Sequence, residues 1–266
     1  MKTPEQTDHK PILPQLTYRV WRVWRRDFDV FMKTYKVSFV PPLLEPIFYL
    51  AAFGLGLGQF VTGIPGTFIQ FIAPALVAIT IMYSSFFECT YGSFVRMYFQ
   101  KTFDAIISTP ISIEEVIAGE MLWGATRSLI GATIVLAVVS AFGLISSPLF
   151  LLIPIVAFFA GLTFSSIAMC FTALAPNIDF FNYPGFLYIT PMFLLSGTFF
   201  PITTLPISMQ IFAQAVFPLT HTVFLARGLM FGTLDSSLLI SLGWIAIATT
   251  VFFVLSIRLM KRKLIK

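Results

Sequence analysis

Residues 191–232 read PMFLLSGTFFPITTLPISMQIFAQAVFPLTHTVFLARGLMFG, and this stretch decides what the chain can be. It is apolar enough for a membrane interior, yet Pro201, Pro206 and Pro218 interrupt it, and His221 and Arg227 sit within it. Proline lacks the main-chain donor and ends or kinks a helix, so a plain continuous span does not fit. The spacing predicts two short helices, at 207–217 and 223–231, set off by turns at 203–206 and 218–221. Neither reaches the ~20 residues needed to cross ~30 Å of hydrocarbon. Irregular backbone at membrane depth is tolerated only where protein buries it or a wet cavity meets it. The two helices therefore read as an outer re-entrant hairpin, the simpler alternative being a proline-kinked span followed by a loop.

Working outward, the composition agrees with a membrane setting. Of 266 residues, 57% are hydrophobic and only 11% are charged, against about 25% charged in soluble domains. Apolar runs predict six spans, at 38–58, 68–89, 121–145, 149–174, from 186 to about 198, and 238–259. Residues 1–15 are polar and lack the apolar core of a secretory signal, so the first span is expected to direct insertion. Cys89 and Cys170 have no metal-like spacing and imply no disulfide framework. Ahead of the first span, Leu16, Val20, Val23, Trp24, Phe28, Phe31 and Tyr35 recur at steps of three and four, which is one helical face. Arg19, Arg22, Arg25, Arg26, Lys33 and Lys36 surround it. Such a helix lies in the headgroup plane; the alternative is a solvated helix packed on a partner.

Orientation follows from the cations. Eight Lys and Arg precede residue 38, Arg96 and Lys101 lie between the second and third spans, and five more close the chain from Arg258 onward. With both termini cytoplasmic, fifteen of the 17 cations fall on one side, as the positive-inside rule requires. The net charge of +5 is thus a topology signal and not a footprint for nucleic acid. The expected architecture is an all-α integral membrane protein. Residues 1–37 form a tail and interfacial amphipathic helix, and 38–259 a six-span domain with a cytoplasmic segment at 90–120 and the outer segment at 201–232. A basic tail occupies 260–266.

No Gly-Lys dipeptide occurs, so the chain has no Walker A loop, and any ATP-driven work must be energised from another chain. No metal-binding pattern is present in the sequence either. Ser196 and His221 share one segment and admit an intramembrane serine hydrolase, which needs an imidazole within hydrogen-bond reach of the hydroxyl. Charges inside spans are functional candidates, because an unpaired one costs ~3 kcal/mol or more at mid-bilayer. Glu45 and Arg127 lie at matching depths, ~10 Å into the first and third spans at 1.5 Å per residue, and are expected to pair. Glu88 is a competing partner, and snorkelling of each charge to the headgroups is the alternative. In segment 90–120, Ser112 and Glu115 fit a capping box. Phe99, Phe103 and Ile106 form an apolar side suited to docking on a soluble partner.

The motifs LSGTFFPITTLP and PLTHTVFLARGLMFG resemble the signature of ABC type-2 permeases, carried by Gly197, Phe200, Pro201, Leu205, Pro206, Pro218, Leu219, Thr220 and Arg227. RRDFDVF, EPIFYLAAFGLGLG and APNIDFFNYPG extend the resemblance over nearly the whole chain, and it looks most like the lipo-oligosaccharide (nodulation-factor type) branch. Drug and polysaccharide exporters are its cousins. The resemblance implies a half-transporter in the cytoplasmic membrane of a bacterium: a homodimer of this subunit encloses a pathway, driven by two copies of a cytoplasmic ATPase. No cofactor would reside in this chain, with ATP and Mg on the ATPase. Phe99, Lys101, Phe103, Asp104 and Ile107 would form the coupling helix that docks there.

Overall fold

In the computed structural model, residues 16–58, 66–233 and 235–264 are described, the side chains of 55 and 57 excepted. The expected polar tail at 1–13, most of the turn between the first two spans and the last two residues of the basic tail lie outside them. Among the described residues the architecture is all-helical. Helix α1 spans Val20–Ala51 and runs on through a π-helical stretch, Ala52–Leu57. Helix α2 spans Phe68–Phe87, extended by π-helical turns at Glu88–Gly92 and Val95–Phe99. A short α3 (Thr102–Ile107) leads to α4 (Ile113–Ala141), and a 3₁₀ turn at Pro148–Leu152 leads into α5 (Ile153–Leu174).

Beyond α5 the chain is broken helix. A 3₁₀ turn at Ile178–Phe181, α6 (Asn182–Pro184), a π-helical turn at Gly185–Ile189 and α7 (Thr190–Leu195) follow one another. Then come α8 (Ile207–Val216), α9 (Pro218–Phe231) and the long α10 (Ser236–Leu264). Among the described residues, five helices are long and apolar enough to cross a membrane: Val20–Gly54, Phe68–Phe99, Ile113–Ala141, Pro148–Leu174 and Ser236–Leu264. The pair α8–α9, bent by 93°, brings the number to six if taken as one broken span. The fifth span expected from residue 186 is not one of these long helices; its place is taken by the broken tract 178–195.

Sequence explains the helix starts. Thr67 accepts from Gln70 N at 3.3 Å while Gln70 Oε1 accepts from Thr67 N at 3.0 Å, a reciprocal capping box that opens α2. The box expected at Ser112 and Glu115 is also present, at 3.2 and 2.8 Å, and opens α4. Pro41, Pro42 and Pro46 lie inside α1, which continues past all three; membrane helices tolerate such prolines when neighbouring groups and local readjustment satisfy the freed carbonyls. The amphipathic segment and the first span are accordingly one helix, without the break at 37/38 that the composition suggests.

Packing centres on α2, whose apolar window is 72% buried, against 11% for α1 and 22% for α10. Without water to drive them together, membrane helices associate through close contact at small residues. Glycines of α4 and α5 provide it here. A Cβ on Gly119 would stand 2.6 Å from Val23 of α1, and one on Gly161 of α5 would stand 1.7 Å from Ser128 Oγ of α4. Trp24 and Phe28, on the apolar face expected to lie along the headgroup plane, instead pack against Trp123 of α4 at 6.5 and 6.3 Å, and Trp24 Nε1 donates to Thr126 at 2.8 Å. Trp21, 59% exposed, stays on the surface.

The bundle has two distinct ends. At one, here termed basal, Thr17 bonds Glu115, Arg19 bonds the Pro110 carbonyl and Lys261 pairs with Glu114. Lys263 Nζ donates to the carbonyls of Thr172 and Ala175 at 2.9 and 2.6 Å, closing the end of α5. The start of α1 and the end of α10 are therefore both tied to the start of α4, at Glu115 and Glu114. At the apical end, Ser146 N and Ser147 N both donate to Met230 O at 3.1 Å, tying the α4–α5 connection to the end of α9.

Candidate functional site

The expected polar segment 90–120 is mostly helix: α2 continues to Phe99, α4 begins at Ile113, and only residues 100–112 leave the two long helices. Lys101 breaks the chain with φ +53°, the one positive φ of a non-glycine residue among those described, and so turns α3 away from α2. Lys101, Asp104 and Ala105 are exposed, and Phe99 is 68% exposed. Ile107 is half-buried. Phe103 corrects the expected docking face: it is fully buried and belongs to the bundle core. The apolar periodicity of α3 thus fastens the helix to the protein, leaving a polar face with Phe99 beside it as the free surface.

Directly behind α3 lies a cluster of charges that sequence spacing did not reveal as a unit. Arg96, on the second π-helical turn of α2, donates from Nη2 to Glu120 Oε2 at 2.6 Å and from Nε to both Glu120 oxygens at 3.1 and 3.0 Å. Its Nη1 donates to Glu88 Oε1 at 2.8 Å, an oxygen that also accepts from Trp123 Nε1 at 3.1 Å. Ser93 donates to Glu120 at 2.7 Å, and Arg26, which pairs with Asp27, reaches Glu120 at 3.4 Å. Asp27 lies 3.9 Å from Arg96. Arg26, Arg96 and Arg127 thus face Asp27, Glu88 and Glu120, three basic and three acidic side chains joining α1, α2 and α4. Glu120 and Asp27 are buried, and a charge so placed persists only when paired and hydrogen-bonded.

The expected Glu45–Arg127 pair does not form. Arg127 Nε lies 3.5 Å from Glu88 Oε2, and its guanidinium sits 5.0 Å from the Phe31 ring. Glu45 is exposed, and none of the ion pairs among the described residues includes it. Depth matching counted residues along two helices but carried no information on which faces meet. Arg96 and Glu120 carry a weaker signal: both are polar residues of segment 90–120, which reads as a loop until its helices are seen to extend.

The apical helices break at the prolines, but the turn expected at 218–221 is instead the first turn of α9, which starts at Pro218 and not at residue 223. Pro201 precedes a 3₁₀ turn, Pro206 precedes α8, and Pro218 occupies the first turn of α9, where its missing donor costs nothing. Gly197 adopts φ +73°, which glycine permits without strain, as the chain leaves α7. Its carbonyl accepts from Arg227 Nη2 at 3.2 Å, as does Phe71 O at 3.3 Å, and the guanidinium lies 4.2 Å from the Phe71 ring. Arg227 therefore knits α9 to α2 and to the α7 exit.

His221 is turned away from Ser196. Its Nε2–H donates to Gln214 O at 2.7 Å, which leaves Nδ1 to accept from Ser241 at 3.1 Å, and the ring stacks on Trp244 at 4.6 Å. Ser196 accepts instead from Thr220 at 3.1 Å. The Ser196–His221 couple that nucleophilic catalysis requires is absent from this geometry. Ser241 and Trp244 lie ~8–12 Å along α10 from its apical start at 1.5 Å per residue, so α9 begins well inside the bundle.

Against known proteins, the model of the ABC-2 type transporter family matches residues 18–231. Nodulation protein J of Rhizobium meliloti is 34% identical over 244 residues, 91% of this chain and 92% of that protein. Nodulation protein J of Bradyrhizobium diazoefficiens is 34% identical over 257 residues, covering 96% and 97% of the two chains. The inner membrane transport permease YadH of Escherichia coli is 22% identical over 244 residues, 90% of this chain and 93% of that one. A family match from α1 through the α3 segment to the apical hairpin, with relatives aligned nearly end to end, leads to one conclusion: the chain belongs to the ABC-2 type transporter family, as a multi-pass membrane permease.

Proposed function

We propose that the chain is the membrane subunit of an ATP-driven exporter for an amphiphilic, lipo-oligosaccharide-like substrate, working as a homodimer in the inner membrane of a bacterium. A separate ATPase, holding ATP and Mg, docks on the exposed face of α3, and the basal end is cytoplasmic. The observation that carries this reading is the placement of Phe99, Lys101 and Asp104 on an exposed surface at the turn from α2 into α3. Family membership and the nodulation protein J relatives support the direction and the substrate class. The tract 178–195 is the remaining crossing. Eighteen residues of helix reach ~27 Å at 1.5 Å per residue; Phe181 contacts Tyr91 near the basal end, and Phe199, just past the tract, contacts Phe53. With that crossing, α8 and α9 form a re-entrant hairpin from the outer side.

The test is co-purification with an ABC ATPase from the native host, followed by ATP hydrolysis in nanodiscs against a panel of lipid-linked glycans and hydrophobic drugs. Stimulation by the glycolipids is expected. Stimulation by drugs alone assigns the protein to the drug-exporting cousins, and failure to retain any ATPase defeats the half-transporter reading.

A further inference from the structure

Among the described residues, Arg96 alone is paired with three carboxylates. It lies between the chain break at Lys101 and the first π-helical turn of α2, on a π-helical turn of its own. One planar guanidinium touches three carboxylates from three helices: Glu88 on its own helix, Glu120 on α4 and Asp27 on α1. Such a network contributes little net stability, because the cost of desolvating the ions offsets their attraction. What a guanidinium supplies is geometry, since its donors form a rigid planar fork. π-helical turns are uncommon, recur at functional sites and mark places where a helix can change register. Gly92 faces the fork, and a Cβ there would stand 3.1 Å from Glu88 Oε1 and 3.4 Å from Arg96 Nη1.

We propose that Arg96 is a positioning residue that couples displacement of α3 to α1 and α4, so that the three move together. This rests on the reading of α3 as the docking helix. The π-helical turns allow the basal end of α2 to shift, and the fork carries that shift to Glu120 and Asp27, which sit on the two membrane helices packed against it. Ser93, donating to Glu120, holds the carboxylate in the plane the fork requires.

The test uses nitroxide labels at Lys33→Cys on α1 and Ala105→Cys on α3, both exposed positions, with distances measured by electron resonance in nanodiscs. The variant is R96M/E120L, which removes one charge of each sign. Its unfolding midpoint should stay near that of the parent, while the label distribution should widen about twofold as the fork is lost. R96K, which keeps the charge without the planar fork, should widen it as well. A purely stabilising role gives the opposite pattern, a lowered midpoint with an unchanged distribution, and would overturn the proposal. If R96M/E120L does not fold, Gly92→Ala crowds the fork without altering charge and should widen the distribution; an unchanged width there also overturns it. In the complex with the ATPase, R96M/E120L should hydrolyse ATP while nucleotide no longer shifts a label pair on α1 and α4. A parent complex without ATP hydrolysis would defeat the docking reading alone, since the measurement on the isolated chain still decides the role of Arg96.

Discussion

Removing Glu88 distinguishes the ion pair that forms from the one that depth alone suggests. Glu88 accepts from Arg96 and Trp123 through Oε1, and its Oε2 faces Arg127 at 3.5 Å. Glu88→Ala therefore orphans an indole N–H and leaves three arginines facing two carboxylates. Breaking a buried pair by deleting one partner costs about 3–5 kcal/mol. The Glu88 side chain is 16% exposed and Arg96 keeps its bonds to Glu120, which lowers the expected loss to about 2–3 kcal/mol. Arg127→Ala loses a long contact and a ring face at a site 27% exposed, about 1 kcal/mol. Glu45→Ala, exposed and unpaired, should stay within about 0.5 kcal/mol. The assay is reversible unfolding in mixed micelles by SDS titration, followed by tryptophan fluorescence, in two double-mutant cycles. Coupling of about 1 kcal/mol is expected between Glu88 and Arg127, and below about 0.3 kcal/mol between Glu45 and Arg127. Equal coupling in the two cycles, or a larger one for Glu45, would refute the assignment.

Three other outcomes follow from the packing. Phe103→Ala empties a fully buried site and should lower stability by about 3–5 kcal/mol, whereas Phe99→Ala should leave the unfolding midpoint unchanged and weaken retention of the ATPase on co-purification. Gly161→Ala drives a methyl into Ser128 Oγ and should cost about 1–3 kcal/mol, with partial recovery on adding Ser128→Gly; no loss in the single variant would contradict the α4–α5 contact. Lys101→Gly relieves a left-handed side-chain residue at φ +53° and should raise stability by up to about 1 kcal/mol, checked by the same titration.

Much of this protein was legible along the chain. The paucity of charge and the length of the apolar runs determine a helical membrane protein, because the bilayer demands internally satisfied backbone of a set length. The prolines at 201, 206 and 218 determine the limits of the apical helices, and Ser112 with Glu115 determines the start of α4, because capping and proline chemistry act over three or four residues. These are local effects, and local sequence carries them.

The partners of the charges were decided elsewhere. Arg127 meets Glu88 and not Glu45, Phe103 turns inward while Phe99 turns out, and Trp24 meets Trp123 in place of lipid. Each outcome depends on how helices are rotated and how closely they approach, which small residues such as Gly119 and Gly161 set by contact with another helix. Residue counting gives depth along an axis; only packed neighbours choose the face. The six-charge cluster exists for that reason: Arg26 with Asp27 and Glu88 with Arg96 are local pairs, and only the docking of α1, α2 and α4 joins them with Glu120 and Arg127.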